Sequence, residues 1–123
     1  MQNSSLDPVS QIREICLALP EATEEPFGGH TAPSFRIGGK LFATISEDLT
    51  VLTIKGQPGV QQSLVAAEPD RYFVPKYVGH AGWVAIRLAA GPDWSEIAEL
   101  IEESFRLIAP RRISRLIEGA QSP

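Results

Sequence analysis

The sequence is poor in the residues from which disulfides and metal centres are built: it has one cysteine, one methionine and two histidines among 123 residues. The single Cys16 excludes an internal disulfide and a zinc site made of several cysteines. No apolar run reaches the roughly 18 residues of a membrane-spanning helix. The opening MQNSSLDPVS has neither the basic region nor the apolar stretch of a secretory signal, so we expect a cytoplasmic protein.

An excess of positive charge is also missing. The chain has 11 Lys and Arg against 15 Asp and Glu, a formal net charge of −4, which argues against a tight nonspecific grip on a polyanion such as DNA. The charges are unevenly placed, because residues 36–87 carry six basic and four acidic side chains while residues 88–108 carry one arginine and five acids. The middle of the chain is therefore mildly basic, and the segment after it is acidic.

What remains is the composition of a globular domain. Apolar residues make up 43% of the chain and charged residues 21%. A chain of 123 residues is long enough for one domain with one hydrophobic core. No repeat, low-complexity segment or linker divides it, so we predict a single domain over residues 1–123 with its core at about 8–118.

Four segments have the periodicity or the capping residues of helices. Asp7 followed by Pro8 is typical of a helix start. Asp93 is the predicted cap of the third helix, with Glu96 completing a capping box before an apolar stripe that ends ahead of Pro110. The helix that starts after Asp7 is predicted to cover residues 8–19, and the two remaining helices are predicted at 58–67 and 111–118.

Short runs of branched and aromatic residues predict strands, joined by turns such as Gly38-Gly39. The predicted strands cover residues 23–27, 33–37, 40–46, 50–55, 72–75 and 82–88. This order of elements predicts an α+β fold, in which helices pack on one face of a twisted antiparallel sheet and the other face meets solvent.

Period-two alternation assigns the strand residues to the two faces of the sheet. The inward set is Phe35, Ile37, Leu52, Ile54, Val84, Ile86 and Leu88. The outward set is Arg36, Thr53, Lys55, Trp83, Ala85 and Arg87. Residues 41–45 remain ambiguous, because a slip of one residue exchanges the two faces.

Four motifs occur in order along the chain: EEPFG at 24–28, FRIGGKLFA at 35–43, PKYVGHAGWVAIRL at 75–88 and ESFRLIAP at 103–110. With these motifs the chain resembles the MmcQ/YjbR family of small bacterial proteins over about residues 8–118. The resemblance implies a CyaY-like α+β fold and a DNA-binding role, which is ascribed to the family because its hairpins look like a pair of wings. The family often has a polar or basic tract before its tryptophan, whereas this chain has GHAG at 79–82. No established catalytic residue carries over.

The predicted nucleic-acid surface is the open sheet face with its hairpins, because cations contact phosphates and aromatic rings stack on bases. Its predicted contacts are Arg36, Lys40, Lys55, Lys76, Tyr77, Trp83 and Arg87. A simpler interpretation is a turn-forming loop with Trp83 covering the sheet edge, and a third is a protein or small-ligand site anchored by Tyr77 and Trp83. A basic group near the C-terminus is either a further nucleic-acid contact or a solvated helix end; it comprises Arg111, Arg112 and Arg115.

Catalytic and metal sites have weaker support in the sequence. His30 and His80 with Glu24 and Glu25 have no spacing that demands metal coordination. The acidic side of the third helix could handle metal, as in frataxin relatives of the fold, or be a solvated face; it comprises Glu96, Glu99, Glu102 and Glu103. Cys16 lies on an apolar helix stripe, and Ser104 has neither a suggestive histidine nor a G-x-S-x-G elbow. We therefore expect a binding module with no cofactor rather than an enzyme.

Overall fold

The computed structural model describes residues 7–26 and 32–121, the last four as backbone only. Within these residues lie four α-helices and six strands of one sheet. The helices are α1 (Pro8–Leu17), α2 (Val60–Ala67), α3 (Trp94–Ile108) and α4 (Arg111–Gln121). The strands are β1 (Thr23–Pro26), β2 (Pro33–Ile37), β3 (Lys40–Ile45), β4 (Val51–Lys55), β5 (Tyr72–Phe73) and β6 (Trp83–Arg87). The strand order is β1-β2-β3-β4-β6-β5 with every neighbouring pair antiparallel, which confirms the predicted α+β fold.

The helix starts follow the predicted caps. The Asp7 carboxylate accepts from the Ser10 amide at 2.7 Å, and the Asp93 carboxylate accepts from the amides of Ser95 and Glu96. The capping box predicted for α3 is wrong, because the Glu96 carboxylate accepts a hydrogen bond from the Tyr72 hydroxyl instead. The start of α3 is thereby tied to the edge strand β5.

The core lies between the sheet and helices α1, α3 and α4. Every residue predicted to point inward is buried, so those face assignments are confirmed. Helix α4 adds Ile113 and Ile117 to the same cluster. Ala85, on the outward face as predicted, is nevertheless buried, because it is a small side chain directly between its cross-strand partners Thr53 and Phe73.

A β-bulge decides the face of β3 that the sequence left ambiguous. The register of β2 with β3 shifts between Phe35 and Arg36, which leaves Phe42 as an extra residue on β3. Strict alternation is broken there, so Phe42 and Ala43 are both fully buried. The Phe42 ring meets Phe105 of α3 edge-on, with the ring centroids 5.2 Å apart.

The hydroxyl of Ser104, on the buried face of α3, bridges the two central strands beside this bulge. It donates to the Phe42 carbonyl at 2.6 Å and accepts from the Lys55 amide at 3.0 Å. The register that pairs Ala43 with Ile54 brings Phe42 and Lys55 next to each other. One side chain therefore satisfies two backbone groups at the point where β3 is distorted.

Replacing Ser104 with Ala should leave the Phe42 carbonyl and the Lys55 amide without this partner. We expect the free energy of unfolding, measured by urea denaturation, to fall by about 1–3 kcal/mol. Ser95 lies on the same helix and is exposed, so Ser95→Ala should change stability by less than about 0.5 kcal/mol. Equal effects of the two substitutions would contradict the bridging role.

Burial and the hydrogen bond to Glu96 both raise the pKa of the Tyr72 phenol. Arg71 is close to the same carboxylate, with its Nη1 3.8 Å from Glu96 Oε1. The chain has two tyrosines, so Tyr72 is the sole tyrosine of a Tyr77→Phe variant and can be followed there by ultraviolet difference spectroscopy.

In that variant we expect Tyr72 to ionise above the usual tyrosine pKa of about 10. Because the pKa is higher in the folded than in the unfolded protein, the phenol contributes stability that is complete below pH ~10 and is lost at higher pH. Unfolding in urea above pH 10 should therefore be less pH-dependent after Tyr72→Phe. Ionisation of Tyr72 at or below pH ~10 in the folded protein would refute the assignment.

Candidate functional site: a loop and a cleft at one end of the sheet

Two segments face each other where β4 ends and β6 begins. One is the β4–α2 turn, residues 56–59, and the other is the loop of residues 74–82 between β5 and β6, here called the 74–82 loop, which contains a 3₁₀ turn at Gly79–Ala81. An open cleft of about 510 Å³ separates them and is called the loop cleft. It is lined by Lys55, Gly56, Gln57, Pro58, Gly59, Gln61, Gln62, Gly79, His80, Ala81 and Gly82.

The two sides of the loop cleft touch at its base. The Gly56 amide donates to the Gly82 carbonyl at 3.1 Å. A Cβ on Gly82 would lie 3.2 Å from the Gly56 carbonyl oxygen, and the φ of Gly82 is +89°, in the left-handed region. Glycine is thus required at position 82 for its backbone angle and for the close approach of the two chains.

The side chain of Gln61 in α2 holds the 74–82 loop through hydrogen bonds to its backbone. This side chain is buried, and its Nε2 donates to the carbonyls of Gly79 at 2.7 Å and Trp83 at 2.8 Å. The Gln61 Oε1 accepts from Gln62 Nε2 at 3.2 Å. A buried amide that bonds both ends of the 3₁₀ turn holds this part of the loop in one conformation.

The preceding part of the loop exposes apolar side chains. Tyr77 is 90% exposed, Val74 52% and Val78 39%. The Val78 amide donates to the Lys76 carbonyl at 2.7 Å, and the φ of Tyr77 is +68°. These are features of the γ-turn with a positive central φ, which is rare and strained. A tyrosine in such a turn is an uncommon arrangement of the kind that concentrates at ligand-binding sites.

The structure brings some of the predicted contacts together at this end of the sheet. Lys55 and Trp83 are cross-strand partners on the outward face, both partly exposed, and Lys55 also lines the loop cleft. Lys76 and Tyr77 are exposed in the 74–82 loop. Lys40 is exposed too, but it lies beyond the Gly38-Gly39 turn of another hairpin.

The two arginines of the predicted surface are engaged within the protein. Arg36 donates from Nη1 to the Gly39 carbonyl at 2.9 Å, and its Nε lies 3.8 Å from Glu25 Oε1. Arg87 donates to the Pro69 carbonyl at 2.9 Å, and its guanidinium carbon lies 4.3 Å from the centroid of the Phe73 ring. The geometry therefore favours the lysines and aromatic residues of the predicted set over its arginines.

Comparison with protein-family models identifies the family of the chain. The family model described as YjbR matches residues 17–107, about three quarters of the sequence. The chain belongs to the YjbR family.

The fold is also that of a solved structure, the Deinococcus radiodurans protein DR2400, which carries the family-model domain DUF419. The two chains superpose with a TM-score of 0.76 at 19% identity, over 89% of this YjbR-family protein and 87% of DR2400. At this identity the likeness concerns the fold. Comparison with curated proteins gives no match.

Sequence reasoning missed Gln61 and the β4–α2 turn as parts of the site of this YjbR-family protein. In α2 the polar Gln61 is buried whereas the apolar Ala67 is exposed, so hydrophobicity does not indicate the inward face of this helix. The sequence does contain a signal for the β4–α2 turn, because Gly56-Gln57-Pro58-Gly59 is a turn-forming run directly ahead of α2. The contacts of Gln61 depend on a loop 18 residues further along the chain.

The acidic side of α3 does not assemble a metal site among the described residues, where no group of three or more His, Cys, Asp or Glu could hold an ion. Of its four members, Glu103 accepts from Gln57, and Glu96 accepts from Tyr72. His30 lies outside the described residues. In residues 7–26 and 32–121, no helix has the length and apolar character needed to cross a membrane.

Replacing Gln61 with Leu should release the 74–82 loop, because the carbonyls of Gly79 and Trp83 lose their common donor. The Gly82 amide donates to the Gly79 carbonyl, and its hydrogen exchange should accelerate by about tenfold for each ~1.4 kcal/mol lost. Gln62→Leu keeps both carbonyl bonds and serves as the control in the same NMR measurement. Equal exchange rates in the two variants would show that Gln61 does not hold the loop.

Proposed function

We propose that this YjbR-family protein is a binding module that binds single-stranded nucleic acid at the 74–82 loop and the loop cleft. The observation that carries the proposal is Tyr77, which is 90% exposed on a strained turn directly before the part of the loop that the buried Gln61 anchors. Every base has a π-face, so an outward ring on a fixed support is a stacking platform for an unpaired strand.

The charges around this ring suit a weak, salt-sensitive contact. Lys76 precedes Tyr77, and Lys55 lies at the edge of the loop cleft beside Trp83. Two lysine–phosphate contacts with a single strand correspond to a slope of about −1.4 in log affinity against log salt. The net charge of −4 opposes anything stronger.

The loop cleft offers hydrogen-bonding groups to an unpaired base. Its walls include the exposed Gln57 and Gln62 amides, the exposed His80 and backbone groups of the glycine-rich turns. A volume of about 510 Å³ lies in the range of small-ligand sites. The cleft therefore supports base binding next to the stacking platform.

Binding is proposed rather than catalysis because both nucleophiles considered from the sequence are occupied in packing. Burial raises the pKa of the Cys16 thiol, which keeps it protonated. The Ser104 hydroxyl is buried and is used by the backbone of β3 and β4.

A second candidate function is protein binding through the same loop. The observation that favours it is the run of exposed apolar side chains at Val74, Tyr77 and Val78, next to the short edge strand β5. Exposed aromatic and aliphatic groups of this kind are typical anchors of protein interfaces.

Anisotropy of a labelled oligothymidylate, measured over a range of salt, tests the nucleic-acid proposal. Tyr77→Ala should weaken binding about tenfold through the loss of one stacked base, whereas Tyr77→Phe should retain it. Lys55→Gln should reduce the salt slope by about 0.7. The matched control is Leu49→Ala, because Leu49 is also an exposed apolar residue with a positive φ of 65°, but lies in the β3–β4 turn.

Absence of salt-dependent binding, or equal losses in Tyr77→Ala and Leu49→Ala, would reject the nucleic-acid proposal. A photocrosslinking amino acid at position 77 separates the two candidates. Adducts with nucleic acid support the first, and adducts with protein alone support the second.

A further inference from the structure

A groove lies between the end of α3 and helix α4, beside Arg111 and Arg115. The groove has a volume of about 380 Å³ and is lined by Arg106, Ala109, Arg111, Ser114 and Arg115. It shares no lining residue with the loop cleft. Three arginines from two helices therefore line one small groove.

Helix geometry sorts the residues of α4 between the core and this groove. Ile113 and Ile117 are buried in the core, which fixes the rotation of the helix. Positions 111, 114 and 115 share another side of the helix. Arg112 lies outside this arc, and its guanidinium pairs with Glu21 at 3.2 Å. The basic group of Arg111, Arg112 and Arg115, whose members are close together in the sequence, is thus divided in the structure. Arg112 does not line the groove, whereas Arg106 of α3 does.

Arg106 is held in position at the groove. Its Nη2 donates to Glu102 Oε2 at 2.9 Å, one helical turn earlier. The Arg106 carbonyl accepts from the Ser114 hydroxyl at 3.3 Å, which connects α3 to α4 across the groove. The Arg106 side chain is thereby held to its own helix by Glu102, while its backbone carbonyl joins α3 to α4 through Ser114. An arginine side chain restrained by such a bond loses less entropy when it binds a ligand.

Arg111 and Arg115 differ from most arginines of the protein. Arg13, Arg36, Arg71 and Arg112 each have a carboxylate within 4 Å. Among the side chains that the structure describes, Arg111 and Arg115 form no such ion pair. Arg111 is the first residue of α4, where the positive end of the helix dipole disfavours a cation. Helix stability therefore does not explain its presence there, whereas an anion in the groove would.

We propose that this groove binds the phosphate group of a small anion, with Arg111 and Arg115 as its principal contacts and Arg106 as a third. Guanidinium groups match phosphate oxygens through paired, charge-assisted hydrogen bonds. A volume of about 380 Å³ is large enough for a phosphate that carries a small substituent.

Titration with inorganic phosphate, followed through the arginine Nε–H signals in NMR spectra, tests this site in the full chain. Arg106, Arg111 and Arg115 should shift together and saturate at millimolar phosphate, while Arg112 and Arg36 should not. Arg115→Gln should weaken phosphate binding about tenfold, the change expected for one charge-assisted hydrogen bond. Arg112→Gln removes the same charge from the same helix and should leave the affinity unchanged.

Three results would overturn the proposal. Equal shifts of all arginines without saturation would indicate nonspecific attraction, and so would equal losses of phosphate affinity in Arg115→Gln and Arg112→Gln. The third is that a labelled oligothymidylate displaces phosphate and binds more weakly to Arg115→Gln, because the groove would then be part of a nucleic-acid surface. Circular dichroism of both variants checks whether the fold is retained. Neither result depends on Tyr77, so failure of this site and failure of the loop site are distinguishable.

Discussion

The bridge made by the Ser104 hydroxyl is the contact on which the central architecture depends. Helix α3 crosses the two middle strands at the point where the Phe42 bulge distorts the ladder, and the hydroxyl supplies a donor and an acceptor to the backbone there. A buried apolar side chain could fill the space but could not satisfy those groups. The bulge turns the Phe42 ring towards Phe105, so the polar bridge and the aromatic contact support each other.

The same bridge also positions the candidate site, because the second backbone group that Ser104 binds is the amide of Lys55, a residue that lines the loop cleft. The backbone amide of Lys55 bonds to α3, while its side chain borders the loop cleft opposite Trp83. From there the chain turns through Gly56, whose amide bonds to Gly82. A rigid strand end, a close glycine contact and the buried Gln61 together present the strained Tyr77 turn to solvent. Rigid support beneath an exposed ring is the arrangement by which a small domain binds a flexible partner at low entropic cost.

Charge is distributed so that two separate basic groups coexist with an acidic protein. The β1 carboxylates Glu24 and Glu25 pair with Arg13 and Arg36, and Glu21 pairs with Arg112. Among the described side chains, cations that form no ion pair include Lys55 at the loop cleft and Arg111 and Arg115 in the groove between α3 and α4. A net charge of −4 keeps nonspecific attraction to polyanions low, so any binding at these two places depends on local geometry rather than on a general field.

The sequence by itself determined the element order, the inward face of three strands and the caps at Asp7 and Asp93, because alternation and capping are local properties of the chain. Its four motifs also led to the family. Only the tertiary structure decided the bulge at Phe42, the turning of Glu96 towards Tyr72 and the contacts of Gln61. Each of these depends on a partner distant in sequence. The same holds for the sites: residue types indicated which side chains could bind, but whether an arginine is neutralised within the fold, like Arg36, or borders a groove, like Arg115, depends on which carboxylates the fold brings beside it.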